Sequence, residues 1–473
     1  MKILYAASEA LPFIASGGLA DVAGSLPKAL QKEGVECRVV LPLYSGIKPA
    51  LREKLEYVTH FNVPLSWRNQ YCGLFKAEVD GVTYYLLDNE YYFKREGGIY
   101  GFYDDAERFV FFSKAVLELL TVLDYEPDII NCNDWQTAMV PVFLNVFYRG
   151  VEKFRRVRTV FTIHNIQYQG KYGMEIATDI CGLPDYAVNM VTYDGAVNMM
   201  KGAIEQCDMI STVSPSYAQE ILDSWFGFGL DKILREKSYK LCGILNGIDV
   251  VGYDPKTDPD VYAHYTVKKP AGKAENKAKL QERLGLEIAP QKPLIVVVSR
   301  LVGMKGLDLI RYIFGEILQL GCQFAVLGTG DYIYENFFRE QADANPGSVA
   351  FWQGFVPELA RKMYAGGDIL LMPSKSEPCG LAQMVALRYG TIPVIRETGG
   401  LRDSISDLGG EDGNGFTFKT YNAHDMLGAI QRAVALYQDE KAWKAAVVHA
   451  MGCDFSWESS AKKYIEMYQR VIG

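Results

Sequence analysis

Short apolar runs that stop abruptly at polar or glycine residues, with helical repeats between them, restrict the fold of this chain more than any other feature. Residues 3–7 form the first run and lead to a Gly17-Gly18 turn. Val22, Leu26, Ala29 and Leu30 then recur at i, i+4, i+7 and i+8, the spacing of one helix face. Residues 35–43 form the next run, closed by Tyr44-Ser45-Gly46. Strand, glycine turn, helix, strand is the start of a doubly wound α/β sheet. Runs at 128–132, 157–163 and 209–213 continue it, each ending in polar residues: Asn133-Asp134-Trp135, His164-Asn165 and Ser214-Pro215. Ligands of such sheets bind at that carboxyl edge.

A second series begins after a stretch at 253–283 rich in Asp, Pro and Lys. Its buried strands are expected at 293–299, 323–327, 348–352, 368–372 and 391–395. Ala461, Tyr464, Ile465, Tyr468 and Ile472 then make an amphipathic helix. Residues 65–103 alternate and are rich in Tyr and Phe, which predicts hairpins or an inserted loop. The chain therefore reads as two α/β lobes with the boundary at 242/243. A length of 473 residues fits more than one core.

Composition excludes several function classes. Apolar residues make up 49% and charged residues 22%, as in ordinary globular proteins. The longest apolar runs, such as 293–298 and 368–373, fall far short of the roughly 20 residues of a membrane span. The first residues reach Glu9 too soon for a signal peptide and read as a buried strand. Net charge is 49 − 57 = −8, unsuited to a nucleic-acid partner. Nine scattered cysteines without a C-x-x-C pair point to reduced thiols and a cytoplasmic location. Five dispersed histidines offer no zinc site.

Candidate chemistry lies at the strand ends. Ser299-Arg300-Leu301 with Lys305-Gly306 places two cations where a diphosphate would sit, or two solvated surface residues. Glu377-Pro378-Cys379-Gly380-Leu381 sets a carboxylate before a glycine turn whose N–H groups can face a ligand; it reads equally as a plain Pro/Gly turn. His164 alone is either a structural histidine or a site residue. Asp134-Trp135 suits a sugar ring, or a cap and a core residue. Asn246-Gly247-Ile248-Asp249 says only that the chain turns. Gly17-Gly18-Leu19-Ala20-Asp21 and Gly399-Gly400-Leu401-Arg402-Asp403 echo one another, by chance or as paired anion sites.

Taken together and in order, these motifs resemble one family, the bacterial glycogen synthases and plant starch synthases. The likeness runs nearly end to end: Ser8-Glu9, Gly17-Gly18-Leu19-Ala20-Asp21-Val22, Asn133-Asp134-Trp135-Gln136, Thr162-Ile163-His164-Asn165-Ile166 with Gln169-Gly170, Asn246-Gly247-Ile248-Asp249, Ser299-Arg300-Leu301 with Lys305-Gly306, Glu377-Pro378-Cys379-Gly380-Leu381, Thr398-Gly399-Gly400-Leu401 and Phe455-Ser456-Trp457. The resemblance implies an α/β fold of the GT-B type, two Rossmann-like lobes facing a central cleft. Residues 1–242 form the acceptor lobe, 243–455 the nucleotide-sugar lobe, and a helix at 456–473 packs back on the first.

The activity implied is retaining transfer of glucose from ADP-glucose to the non-reducing end of an α-1,4-glucan. Neither a metal nor pyridoxal phosphate is expected. Arg300 and Lys305 match the residues that hold the diphosphate and neutralise the leaving group, and Glu377 matches the carboxylate near the glucose. Cys379, Gly380 and Leu381 would offer backbone N–H groups. Gly17, Gly18, Asp21 and Asn246 match nucleotide or diphosphate contacts, and Phe355 matches an aromatic against adenine. Asp134, Trp135, His164 and Asn165 match the wall around the donor glucose, His164 through its backbone carbonyl. Ala15 stands where many members carry lysine, which keeps UDP-glucose or another nucleotide sugar as an alternative donor. Val385 replaces a second glutamate, so this loop offers no pair of carboxylates. A sugar-nucleotide epimerase, a phosphorylase and an inactive glucan-binding homologue are the remaining alternatives.

Overall fold

A computed structural model of the chain describes residues 1–410 and 412–473. It divides into two units: residues 1–213, 218–247 and 457–473, and residues 214–217 with 248–456. The strands in chain order are β1 Lys2–Ala6, β2 Glu36–Pro42, β3 Glu56–Leu65, β4 Arg68–Val79, β5 Val82–Asp88, β6 Ile129–Asn133, β7 Arg158–Ile163, β8 Lys171–Tyr172, β9 Thr192–Tyr193, β10 Ala196–Asn198, β11 Met209–Thr212 and β12 Leu241–Gly243. The second unit adds β13 Leu294–Val298, β14 Gln323–Gly328, β15 Val349–Gln353, β16 Ile369–Met372, β17 Ile392–Arg396 and β18 Phe416–Phe418.

The first unit is built on one nine-stranded sheet in the order β12-β11-β7-β6-β1-β2-β5-β4-β3. Its strands run parallel except β4, which pairs antiparallel with β3 and β5. The Tyr-rich stretch therefore forms hairpins that extend the sheet. β8, β10 and β9 make a small separate sheet. The second sheet has the order β15-β14-β13-β16-β17-β18 and is parallel throughout. Central strands such as Ile129–Asn133 and Ile369–Met372 are buried along their whole length, as strands covered on both faces must be.

Helix Gly18–Lys32 covers one face of the first sheet with Leu19, Val22, Leu26 and Leu30. The helix Trp457–Ile472 packs beside it, burying Trp457, Ala461, Tyr464, Met467 and Tyr468 in the same core. Tyr468 also donates its hydroxyl to Asn131 Oδ1 at 2.9 Å.

The polar stretch at 253–283 is an ordered part of the second unit, not a loose break. Helix Ala271–Leu284 buries Asn276, Lys277, Leu280 and Gln281. Lys277 pairs with buried Asp368 at 2.7 Å, and Lys273 Nζ is ringed by the Ala365 and Tyr389 carbonyls and Thr391 Oγ1 at 2.9–3.1 Å. The sequence shows only a stretch rich in Asp, Pro and Lys, because the partners of these lysines lie about a hundred residues away.

Tyr468→Phe is expected to cost about 1 kcal/mol by orphaning a buried acceptor, and Tyr468→Ala about 3–5 kcal/mol through the cavity. Urea unfolding would show the ranking; equal midpoints for both variants and the parent would contradict the helix's place in the core.

Candidate functional site

In the second sheet the strand order reverses between β13 and β16, so the loops that follow them leave one edge side by side. Lys375 N–H donates to the Met304 carbonyl at 2.9 Å, tying the two loops together. Gly306 has a φ of +73°, and a Cβ there would stand 2.0 Å from the Pro373 carbonyl oxygen. Only glycine permits that approach. It sets Lys305 Nζ 2.6 Å from Glu377 Oε2, and Ser374 Oγ donates to the same oxygen at 3.0 Å. Glu377 is buried while Lys305 is partly exposed, so the carboxylate orients the ammonium from below. Arg300 lies two residues beyond the end of β13 and is exposed.

The Glu377 loop rests on the Gly399-Gly400 pair. Gly400 N–H donates to the Glu377 carbonyl at 3.1 Å. A Cβ on Gly400 would lie 2.2 Å from the Cys379 oxygen. Gly18, its counterpart in the echo, has nothing within 4 Å of such a Cβ. The repeated motif thus does two different jobs: backbone packing in the second unit and an open helix start in the first. Gln383 Nε2 donates to the Cys379 and Gly380 carbonyls at 3.1 and 2.9 Å. In a trans peptide that turns the N–H groups of Gly380 and Leu381 the opposite way. Cys379 is buried, and Phe355 projects from the loop after β15 with 89% of its surface exposed.

The first sheet reverses its order between β1 and β6. After β1, buried Glu9 accepts the N–H groups of Ser16 and, at 3.3 Å, Gly17, and takes the Tyr100 hydroxyl on its other oxygen. It thereby fixes the approach to helix Gly18–Lys32, whose N-cap Gly17 has no side chain to offer. Burial raises the pKa of Glu9, and that of Asp21 on the helix's first turn. Asn246 is buried, and its Oδ1 has no partner among the described residues.

Asp134, directly after β6, has a φ of 55° and a ψ of −177°, a strained conformation for any residue but glycine. Its Oδ1 accepts the His164 N–H at 2.8 Å, and its carboxylate also takes the Asn165 N–H. One side chain thus bridges the loops after β6 and β7. Burial pushes Asp134 up to about 7, against the lowering effect of those two hydrogen bonds. His164 Nε2 lies 2.9 Å from Asn133 Oδ1, and burial lowers its pKa to about 3. Asn165 Oδ1 accepts the Gln167 N–H at 3.0 Å.

Trp135, expected from the resemblance in the wall around the donor glucose, packs in the interior of the first unit. It is 8% exposed, edge-on to Phe109 at 5.2 Å, tilted against Tyr172 at 5.7 Å, and lies beneath Gly170. Its indole supports the Asp134 turn from the core side. Sequence reasoning missed the roles of Glu9, Ser374 and Gln383. Ser374 stands only three residues before Glu377, but nothing local shows that its hydroxyl turns back.

Residues 2–236 match the family model for the starch synthase catalytic domain, and residues 279–447 match that for group 1 glycosyl transferases. A glycogen synthase of Bacillus cereus strain B4264 is 49% identical over the full length of both chains. One from Exiguobacterium sibiricum is 45% identical, covering all of this chain and 99% of the other. The chain belongs to the glycogen synthase and starch synthase family. Among solved structures, the catalytic domain of starch synthase IV from Arabidopsis thaliana, bound to ADP and acarbose, superimposes with a TM-score of 0.91. It is 36% identical, and the match covers 99% of each chain. The two units are accordingly the halves of a GT-B glycosyltransferase, and among the described residues no helix is long and apolar enough to cross a membrane.

Gly306→Ala in this glycosyltransferase is expected to cost about 3 kcal/mol or more in the second unit, because backbone meets backbone. Gly18→Ala should leave the melting temperature unchanged. Matching melts for the two variants would contradict the loop contact. Asp134 makes a pH prediction. Its folded pKa is raised, so its contribution to stability is complete below about pH 4 and is lost as the pH rises through about 7. Asp134→Asn, which cannot ionise, should gain on the parent protein as pH rises across that window. Parallel stability curves from urea titrations at stepped pH would contradict it.

Proposed function

We propose that this chain transfers glucose from ADP-glucose to the non-reducing end of an α-1,4-glucan, with retention at the anomeric carbon. The observation that carries the reading is the Lys305–Glu377 pair at 2.6 Å, placed at the switch point of the second sheet in a chain that matches glycogen synthases from end to end. The solved relative is described as bound to ADP and acarbose, a nucleoside diphosphate and an oligosaccharide analogue.

Arg300 and Lys305 are the proposed leaving-group residues. As the bond from anomeric carbon to phosphate oxygen breaks, negative charge grows on the diphosphate, and the two cations stabilise it, Lys305 already oriented by Glu377. They supply the charge that a divalent metal gives in other transferases, and the reading requires neither a metal nor an organic cofactor. Glu377 holds Lys305 in place and faces the donor sugar. The N–H groups of Gly380 and Leu381, turned away from Gln383, extend the anion site, and Gly17, Gly18, Asp21 and Asn246 are proposed nucleotide or diphosphate contacts. Phe355 is placed against adenine. Asp134, His164 and Asn165 are proposed to position the glucose. The acceptor hydroxyl attacks on the face the phosphate leaves, its oxygen bonds to the anomeric carbon, and its proton passes to the departing phosphate oxygen. ADP and a glucan longer by one residue are the products. A cytoplasmic location and the lack of a nucleic-acid partner belong to the same reading.

Arg300→Ala and Lys305→Ala should each lower turnover about 100-fold or more, with glucan affinity unchanged. Near-parental rates would remove these two residues from the leaving-group role. A donor panel with glycogen as acceptor tests the substrate directly. ADP-glucose should be consumed fastest, faster turnover of UDP-glucose would favour the alternative donor, and no release of nucleoside diphosphate from any donor would favour an inactive glucan-binding protein.

A further inference from the structure

Asn133, the last residue of β6, sits between two strands' worth of polar groups in the interior of the first unit. Its Nδ2 donates to the Ala6 carbonyl at 2.9 Å and approaches the Asn131 carbonyl at 3.5 Å. Its Oδ1 is 2.9 Å from the Tyr5 hydroxyl and 2.9 Å from His164 Nε2. The amide has only one chemically sensible orientation. Turned over, it would set its oxygen against two carbonyl oxygens, none of which can donate. So Oδ1 faces Tyr5 and His164, and an amide oxygen only accepts. Tyr5 satisfies it from one side with a hydroxyl held in a strand that is wholly buried beyond its first residue. The nitrogen on the other side must therefore carry a hydrogen.

We infer that Asn133 is a positioning residue that fixes the imidazole of His164 as its Nε2–H tautomer, leaving Nδ1 the ring's one bare nitrogen, able only to accept. The neutral ring follows from burial, which keeps the imidazolium out of reach at ordinary pH. The backbone N–H of His164 is held by Asp134, the residue after Asn133, so ring and main chain are fixed by two adjacent residues at the end of β6. A neutral, single-tautomer imidazole presents one unvarying acceptor to a hydroxyl-bearing ligand. Free to exchange tautomers, the ring would offer a donor and an acceptor in turn. The functional half of the inference rests on the reading above that places His164 beside the donor sugar, and adds the ring to the backbone carbonyl expected there.

The test has two arms. In the first, histidine-labelled parent protein is examined by nitrogen NMR, with His164 assigned through the His164→Gln spectrum. The expected result is a pyrrole-type Nε2 and a pyridine-type Nδ1 from pH 5 to pH 8; a protonated Nδ1 overturns the inference without reference to activity. In the second arm, Asn133→Ala and Asn133→Leu are compared with the parent, each checked for an intact melt. The ring signal of His164 should move to mixed tautomers. The kcat/KM for ADP-glucose should fall about tenfold while the affinity for ADP, which lacks the sugar, stays within about twofold. Equal losses for ADP and ADP-glucose would make Asn133 a structural residue and overturn the proposal. If the tautomer is as expected in the parent, shifts in the variants, and kcat/KM does not move, the positioning role is overturned because His164 does not serve the sugar. Tyr5→Phe separates the layers: Asn133 keeps its bond to Ala6, so His164 should retain its tautomer.

Discussion

A parallel sheet that grows in both directions from its first strand has one place where neighbouring loops part, and in each unit of this protein the polar chemistry gathers there. In the second unit the parting lies between β13 and β16, and it brings Arg300, Lys305 and Glu377 to one edge. In the first it lies between β1 and β6, and it collects Glu9, the start of helix Gly18–Lys32, Asn133 and Asp134. Everything else at these edges is support. Ser374 and Gln383 tether one loop, Gly306 and Gly400 let backbones touch where a methyl group could not fit, and Asp134 accepts strain to join two loops.

The ion pair at the second edge shows how placement and charge combine. An isolated exposed lysine is a mobile point charge and an isolated buried glutamate is costly. Together, one provides the other's compensation, and the ammonium is oriented before any ligand arrives. The first edge is built on groups that burial holds toward their uncharged forms. Its buried groups are two carboxylates with raised pKa values and a histidine with a lowered one, all moved by loss of water. The second edge thus carries an oriented ammonium, and the first carries hydrogen-bonding groups whose charged forms burial disfavours.

Much of this was legible in the sequence because strand ends are local. The runs at 3–7, 128–132, 157–163, 293–299 and 368–372 mark β1, β6, β7, β13 and β16 to within a residue or so, and each carries its polar residue in the next few positions. Arg300, Lys305, Glu377, Asp134 and His164 could be singled out for that reason alone. What stayed hidden depends on partners distant in sequence. Trp135 is aromatic and next to a candidate carboxylate, so it looks like a sugar platform, and only Phe109, Tyr172 and Gly170 closing over it make it core. The two glycine pairs look alike until Cys379 is found against one of them and open space beside the other. Lys273 and Lys277 look like linker charges because Asp368, Tyr389 and Thr391 are far along the chain.

The seat of helix Trp457–Ile472 has a consequence for how the molecule is made. The first unit needs that helix for its core, yet the ribosome delivers it only after all of the second unit has emerged. Until then a nascent 1–247 segment leaves uncovered the groove that Trp457, Tyr464 and Tyr468 fill. The N-terminal unit is therefore the last of the two to be finished, and vectorial synthesis runs opposite to the order in which the two cores close.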